Sequence, residues 1–449
     1  MSTGPKGPDR DPFRRLREHP LATMPAYQVG ESDLPIPLFQ GIIHLEHDST
    51  TTVGQGEIRL DWYPTPGIAF ELKVPGSPWY GADSVVKLRL GDAGEQLLGF
   101  VTRWHFDSKE SASQSLFGWL GRTAAPESEP HIARLTFLVP NFLEVVGDPI
   151  RYSERRFRRG RIELVADGWR VVIDPIDHPK GFWRELKNNR GFAVTHTGFL
   201  ERVNGSAFTW DEAKAIHQAL RWFLTWSLGS WTGPILTCGE DSQRGQAFQL
   251  WDVCPIAPAK EVSSWFDPLS DEQLILSFPG FLRLWLDENW TEVLRMAVHW
   301  YVEANAQAGS AEGSIILTQT AFEMLASKVL GEAADRLNAE ARLRALFKQT
   351  GIPVDIPDSQ KALAQLAKIE GWIDIPQALV KVRNPLTHPT TKNLDRYRRY
   401  PAEAIFDVWT LGVWCLELLL LKVCGYEGKY ACRLAPRWAG EVQKVPYAP

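Results

Sequence analysis

Glu57-Ile58-Arg59-Leu60-Asp61-Trp62 is followed, after Thr65-Pro66-Gly67, by Ile68-Ala69-Phe70-Glu71-Leu72-Lys73-Val74. Apolar side chains fall on every second position, with turn-forming residues between the runs. Period two places alternate side chains on opposite faces, so these runs predict half-buried, mostly antiparallel strands. The same text recurs upstream at Gly41–Leu45 and downstream at Val85–Leu90, and further strands are expected at 133–138, 161–166 and 169–174. Residues 107–130 are Ser-rich and polar and predict a loop, and residues 235–252 return to strand-like text. One helix interrupts the strands. Thr209 and Glu212 have capping-box spacing, Ile216, Leu220, Phe223, Leu224 and Leu228 follow at helical intervals, and Gly229 suits the stop.

Beyond about residue 280 the period changes from two to 3.6. Helices are expected from Asp287 to about 307, and over 314–331, 335–349 and 359–370. A further helix begins at Pro376 and ends near Asn384, because Pro385 disfavours its continuation; the last runs over 401–424. Short links between amphipathic helices predict an antiparallel bundle. The fold class is therefore α+β, a strand-rich mixed N-terminal domain followed by an all-α bundle. The expected boundaries are a loose tail at 1–30, the mixed domain at 31–265, a connector at 266–286, the bundle at 287–435 and a tail at 436–449.

The chain has 449 residues with 49 Lys+Arg against 54 Asp+Glu, a formal net charge of −5. That argues against wholesale nucleic-acid packaging but leaves room for a local basic groove. Residues 281–449 hold 20 basic and 19 acidic side chains, so the remainder carries 29 against 35, and the negative charge sits in the N-terminal part. The five cysteines are odd in number and lack CxxC spacing, which speaks against a disulfide framework or thiolate zinc site and for a reducing cytoplasm. The N-terminus has no apolar core of a signal peptide, and the longest apolar run, Val408–Leu421, falls short of a membrane span and contains Glu417. No Walker or dinucleotide glycine loop, Gly-x-Ser-x-Gly or His-Glu-x-x-His occurs.

The stretch with the most chemistry is Val380-Lys381-Val382-Arg383-Asn384-Pro385-Leu386-Thr387-His388-Pro389. It sets an Arg in the last turn of a helix and a His five residues on. Such a pair suits phosphodiester cleavage in RNA without metal. An imidazole exchanges protons at neutral pH, as general base on the ribose 2′-OH or general acid on the departing 5′-oxygen. A guanidinium grips the non-bridging oxygens and offsets the charge that develops on them. Asn384 would orient the His or the phosphate. Lys381, Lys392, Arg396, Arg398 and Arg399 surround the pair, with Asp395 the one acid over 381–399, and would follow an RNA backbone. The bland account is an Arg favoured by the helix dipole and a His in a Pro-rich loop.

This bundle resembles the HEPN superfamily, in which an R-x4-6-H motif with a polar residue directly after the Arg lies at a helix end. Flanking text is similar to its ApeA-type branch: His299-Trp300-Tyr301-Val302-Glu303-Ala304, Ala321-Phe322-Glu323-Met324-Leu325, and Leu418-Leu419-Leu420 leading to Gly425-Tyr426-Glu427-Gly428-Lys429-Tyr430. Upstream, Gly191–Gly198, Phe223–Gly229 and Ser263-Ser264-Trp265-Phe266 are similar to the region that precedes such bundles. The resemblance implies a metal-independent endoribonuclease with no cofactor, dimeric through the bundle. Two motif copies would face each other, cutting host or phage RNA in a toxin or anti-phage system. Arg383, Asn384 and His388 match the motif positions. The N-terminal domain would then sense an unknown trigger, and no membrane is involved. The alternative is a non-catalytic adaptor that binds nucleic acid or a protein partner.

Other candidates each have a bland account beside the functional one. Glu323 lies one step from the apolar face of its helix and either pairs with Arg383 or is a solvated or first-turn carboxylate; the latter is favoured. Arg151, Arg155, Arg156, Arg158, Arg159 and Arg161 make either a second nucleic-acid contact or a charged strand edge. His44 and His47, with Asp48, fall on opposite faces of a strand and make a poor metal pair, and His196 has no partner set. The tryptophans around Trp210, Trp222, Trp226, Trp231, Trp251 and Trp265 either line a stacking cleft or fill a core between helix and sheet; the core is favoured.

Overall fold

A computed structural model describes residues 18–47, 50–75, 84–91, 96–107, 113–121, 130–307, 309–434 and 436–448. The alternating runs close into a six-stranded antiparallel barrel. Its strands are β1 (Ile36–His47), β2 (Thr50–Asp61), β3 (Gly67–Pro75), β4 (Val85–Leu90), β5 (Gln96–Asp107) and β6 (Ser113–Leu120), in the order β1-β2-β3-β6-β5-β4. Ile58, Leu60, Phe70, Leu72, Val86, Leu88 and Leu116 point inward and are buried. Strand β6 lies inside the stretch expected as a loop. Its serines and glycine dilute the apolar pattern, but Gln114, Leu116 and Gly118 are buried in turn as an inward row.

A seven-stranded antiparallel sheet follows, from β7 (Arg134–Pro140), β8 (Asp148–Arg151), β9 (Phe157–Ala166), β10 (Trp169–Pro175), β11 (Val194–Arg202), β12 (Ile235–Glu240) and β13 (Gln246–Leu250). Their order is β13-β12-β7-β11-β10-β9-β8. Helix α1 (Phe182–Asn189) joins β10 to β11, and α2 (Trp210–Leu228) joins β11 to β12. The two faces of this sheet serve two cores. Leu135, Phe137 and Val139 of β7 join the helices, whereas Leu138 between them joins the barrel residues. Residues 18–30, read from sequence as loose tail, include a segment laid along the sheet edge. Ala22 N donates to Arg151 O at 2.9 Å, and Thr23 Oγ1 donates to Asp174 Oδ2 at 2.8 Å.

The C-terminal part is helical: α3 (Glu272–Leu286), α4 (Thr291–Asn305), α5 (Ser310–Leu330), α6 (Ala339–Thr350), α7 (Lys361–Glu370), α8 (Ile375–Thr387), α9 (Thr391–Tyr397) and α10 (Ala402–Val423). The architecture is thus mixed α+β, strand-rich first and helical second. Residues 266–286, expected as a connector, carry α3, whose Phe278 and Phe281 are fully buried. Trp226 of α2 lies 4.6 Å from Trp265 and 5.5 Å from Phe281 between ring centroids, so the tryptophan-rich text fills a core shared by sheet, α2 and bundle. Asp287 does not cap the next helix. It ends α3, its side chain accepting from Asn289 N at 2.9 Å, and α4 starts at Thr291. Helix α10 is long and apolar enough to cross a bilayer by length and composition, yet 78% of its apolar window is buried inside the fold, as in a core helix. The segment 436–448 also returns to the bundle, where Gln443 and Lys444 pair with Tyr430 and Lys429.

Candidate functional site

Helix α8 is built for its place. Asp374 caps it, its carboxylate accepting from Gln377 N at 2.9 Å, and Pro376 occupies the first turn, where a missing N–H costs nothing. Ile375, Ala378, Leu379 and Val382 are buried against the bundle. The helix does not stop at Asn384. It continues through Pro385 to Thr387, and His388 is its C-cap, donating from its backbone N to Asn384 O at 2.8 Å. A proline in the last turn removes one helical hydrogen bond without breaking the rest of the ladder, so the expected stop was three residues early.

Arg383 is held on this helix with its side chain 19% exposed. Its Nη2 donates to Glu323 Oε1 of α5 at 3.2 Å and its Nη1 to Asn384 Oδ1 at 3.5 Å, while its buried Nε has no hydrogen-bond partner. Of the two accounts of Glu323, the structure has the paired one. His388 is exposed. Its φ of −128° and ψ of 71° lie outside the helical region, so it stands past the last helical residue, Thr387, while Arg383 lies a turn earlier within α8. Three of the surrounding cations are already matched. Lys381 Nζ lies 2.7 Å from Glu340 Oε1, Arg396 pairs with Glu370, and Arg398 Nη1 lies 3.1 Å from Asp395 Oδ1. Lys392 and Arg399 are exposed, the latter donating from Nε to Asp395 O at 3.2 Å.

The arginine run at 151–161 is largely structural. Arg161 and Asp174 form a two-pronged ion pair at 2.8 and 2.7 Å, Arg159 donates to Gly147 O at 3.0 Å, Arg151 to His19 O at 2.9 Å, Arg156 lies 2.7 Å from Asp177, and Arg158 pairs with Glu144. Arg155 remains exposed. His196 sits in the middle of the sheet with no exposure, its Nε2 unpartnered between Phe142 and Trp183, and burial pushes its pKa down to about 3. It is a neutral core histidine. Among the described residues no group of three or more His, Cys, Asp or Glu side chains is placed to hold a metal ion, and Asp48 lies outside them.

One polar cluster went unread in the sequence. Glu417, in the apolar middle of α10, is fully buried and pairs with Arg433, whose Nε donates to Glu417 Oε2 at 2.9 Å. Tyr301 OH of α4 donates to Glu417 Oε1 at 2.8 Å. Arg433 also donates to Asn305 Oδ1 at 2.9 Å and to Ser263 O at 3.0 Å, so one ion pair ties α4, α10 and the segment leaving the sheet domain. The only signal was a lone Glu in an apolar helix, since a buried charge needs a partner from somewhere.

Two stretches of the chain match known domain models: residues 127–262 the YopA central domain and residues 287–444 the YopA C-terminal domain. The chain is similar to YopA. It is 26% identical over 442 residues to the SPbeta prophage-derived uncharacterized protein YopA of Bacillus subtilis (strain 168), which covers 94% of this chain and 96% of that protein. No solved structure matches the chain. These matches overturn the HEPN resemblance, its ApeA-type branch included. The text that suggested it is core patterning: Tyr301, Phe322, Leu325 and Leu418–Leu420 are buried packing residues, a pattern that any helical bundle produces. The YopA central match spans the seven-stranded sheet with α1 and α2, and the C-terminal match begins just before α4.

Proposed function

We propose that this YopA-like protein cleaves RNA at the exposed end of α8, with Arg383 holding the phosphate and His388 moving the proton. The observation that carries the reading is the state of Arg383. Its side chain is four-fifths buried, its guanidinium bonds to Glu323 and Asn384, and its Nε–H is unsatisfied. A cation immobilised in this way stabilises developing charge without reorganising. In the reaction the ribose 2′-oxygen attacks phosphorus, the bond to the 5′-oxygen breaks, and a 2′,3′-cyclic phosphate remains. One imidazole serves one of the two proton transfers at a time. This favours a homodimer in which a second copy completes the site. The prophage origin of the relative fits a role in conflict between phage and host.

The test is incubation of the full chain with single-stranded RNA in EDTA, with analysis of the ends formed. Cyclic phosphate ends that disappear with His388→Ala support the reading, and intact RNA at all protein concentrations ends it. A second reading, a non-catalytic binding module, is favoured by the pairing of Lys381, Arg396 and Arg398 with carboxylates, which leaves fewer cations for an RNA backbone. Under that reading expression is harmless and the His388 variant behaves as the parent.

A further inference from the structure

Helix α3 is apolar on more sides than the protomer covers. Its inner side, with Leu274, Phe278, Phe281 and Trp285, is buried against β9, α2 and α4. Glu272, Ile275, Leu276, Pro279, Arg283 and Leu286 fall within an arc of about 100° on the other side, and all of them are exposed. No charged residue stands between Glu272 and Arg283. A helix that is apolar all round is ordinarily covered all round, yet Leu276 keeps 53% of its surface in water. The apolar side continues past both helix ends. Before the first turn, Leu269 is exposed, and an added Cβ at Gly440 would come within 3.3 Å of it, which brings the turn bearing the 85% exposed Trp438 alongside. At the last turn a groove of about 520 Å³ opens between Ala166 and Asp167 on one wall and Pro279, Leu282 and Leu286 on the other.

The charges on this side select what covers it. Among the described residues neither Glu272 nor Arg283 has an ion-pair partner. They stand about 16 Å apart along the axis, one at each end of the apolar stretch. A face that reads acid, apolar, base is complementary to its own reverse. With a two-fold axis at the level of Ser277 and Phe278, Glu272 meets the partner's Arg283, Leu276 meets the partner's Pro279, and Leu269 reaches the partner's Leu286 and the groove beside it. Each contact is then made twice, as in any isologous interface. A parallel arrangement would instead set Glu272 against its own copy and Arg283 against its own copy. The remaining acids do not spoil the match. Asp271 points off this arc, Asp287 lies past the last turn with its carboxylate accepting from Asn289 N at 2.9 Å, and Asp167 stands at the Arg283 end of the groove. A lipid surface or an apolar peptide would use the leucines, but neither calls for one acid and one base at the two ends.

We infer that the outer side of α3 is a self-association surface, on which α3 of a second copy of this chain packs antiparallel with Glu272 and Arg283 paired across the seam. The surface is independent of any cleavage at α8. The experiment is sedimentation velocity of the full chain, which should dimerise in the micromolar range. Leu276→Asp should weaken the dimer by more than roughly ten-fold, because a carboxylate then enters the apolar seam from both copies. Glu272→Arg and Arg283→Glu each set like charges across the seam twice, and each should weaken it by roughly ten-fold. An equimolar mixture of the Glu272→Arg chain and the Arg283→Glu chain should dimerise as the parent does, since each supplies the charge that the other lacks. All three positions are exposed, and unchanged far-ultraviolet circular dichroism checks that the variants fold. A monomeric parent overturns the inference. So does a mixture that associates no better than its components. A dimer unmoved by Leu276→Asp overturns it as well, and would belong to another face, such as the end of α8.

Discussion

Arg383 Nη2 meets Glu323 Oε1 at 3.2 Å, joining α8 to α5 across 60 positions of sequence. The two side chains are 19% and 37% exposed, so solvent screens the pair and its contribution to stability is at most about 1 kcal/mol. Its effect on the proposed reaction is larger, because a guanidinium free to rotate no longer meets the phosphate in one geometry. Arg383→Ala should lower RNA cleavage by roughly 10²–10³-fold. Glu323→Gln should lower it less, by about ten-fold, since the amide still accepts a hydrogen bond. Neither should shift thermal unfolding by more than a few degrees. Equal cleavage by Arg383→Ala would remove this residue from the chemistry.

The Glu417–Arg433 pair behaves differently because it is dry. Burial and the neighbouring carboxylate act on its partner Tyr301 as well, whose hydroxyl is pushed well above its usual pKa. Glu417→Leu leaves the Arg433 guanidinium buried without its carboxylate and should cost about 3–5 kcal/mol in urea unfolding. Arg433→Leu should cost a similar amount. The double variant should recover much of the loss, since the two charges are then removed together. Strictly additive losses would mean that the pair is not coupled.

Acid should destabilise the protein through His196. Its folded pKa, near 3, lies below the ordinary 6.5, so between those values the unfolded chain binds a proton that the native state refuses. Stability is therefore full above pH 6.5 and falls as the pH drops toward 3, by about 1.4 kcal/mol per pH unit from this group alone. His178 is shifted the same way, chiefly by burial, and adds to the slope. His196→Gln should flatten the dependence of the urea midpoint on pH between 6.5 and 4. A slope unchanged in that variant would assign the acid sensitivity elsewhere.

Local signals read well in the sequence and tertiary ones did not. Thr209 and Glu212 form the expected capping box, and Gly229 ends α2 in the left-handed region at φ 70°, because both features are settled within a few residues. Strand β11 was missed because it is central and buried on both faces, so Val194-Thr195-His196-Thr197-Gly198-Phe199-Leu200 shows no alternation. Helix α9 was missed because it buries no residue and so carries no apolar stripe; Thr390 caps it by accepting from Asn393 N. The contact of Arg383 with Glu323 was within reach, as one of two accounts of that carboxylate. Arg433 was not, since it approaches Glu417 from beyond the end of α10.

Gly280 reverses a general expectation. In the middle of a helix, Gly→Ala ordinarily stabilises by about 0.5–1 kcal/mol. Here α3 crosses the end of α10 so closely that a Cβ at Gly280 would lie 1.8 Å from the backbone oxygen of Cys424. Backbone cannot swing aside as a side chain can, so Gly280→Ala should force the helices apart. We expect a loss of about 1–3 kcal/mol, the usual range for an overpacked core. A thermal midpoint equal to or above the parent's would show that the two helices separate freely.

The shared core decides how the protein can be dissected. Phe137 and Val139 of β7, Trp226 of α2, Phe281 of α3 and Leu419 of α10 belong to one continuous apolar cluster, whereas the barrel has its own, closed over the opposite face of the sheet. Cutting between sheet and bundle would expose Trp226, Trp265 and Phe281 to water, and would part Arg433 from Ser263 O. A fragment covering 287–449 should therefore lack cooperative unfolding and aggregate, although it matches a domain model by itself. A fragment covering 130–449 should keep the shared core and lose the barrel's cover over Leu138, Val194 and Ile235, together with the contacts that residues 18–30 make along the sheet edge. Its solubility should improve when those three positions are made polar. Regulation by the strand-rich part is then to be tested by removing the barrel, not the whole N-terminal half. A cooperative, soluble 287–449 would break the argument, because it would mean that the bundle completes its core without the sheet.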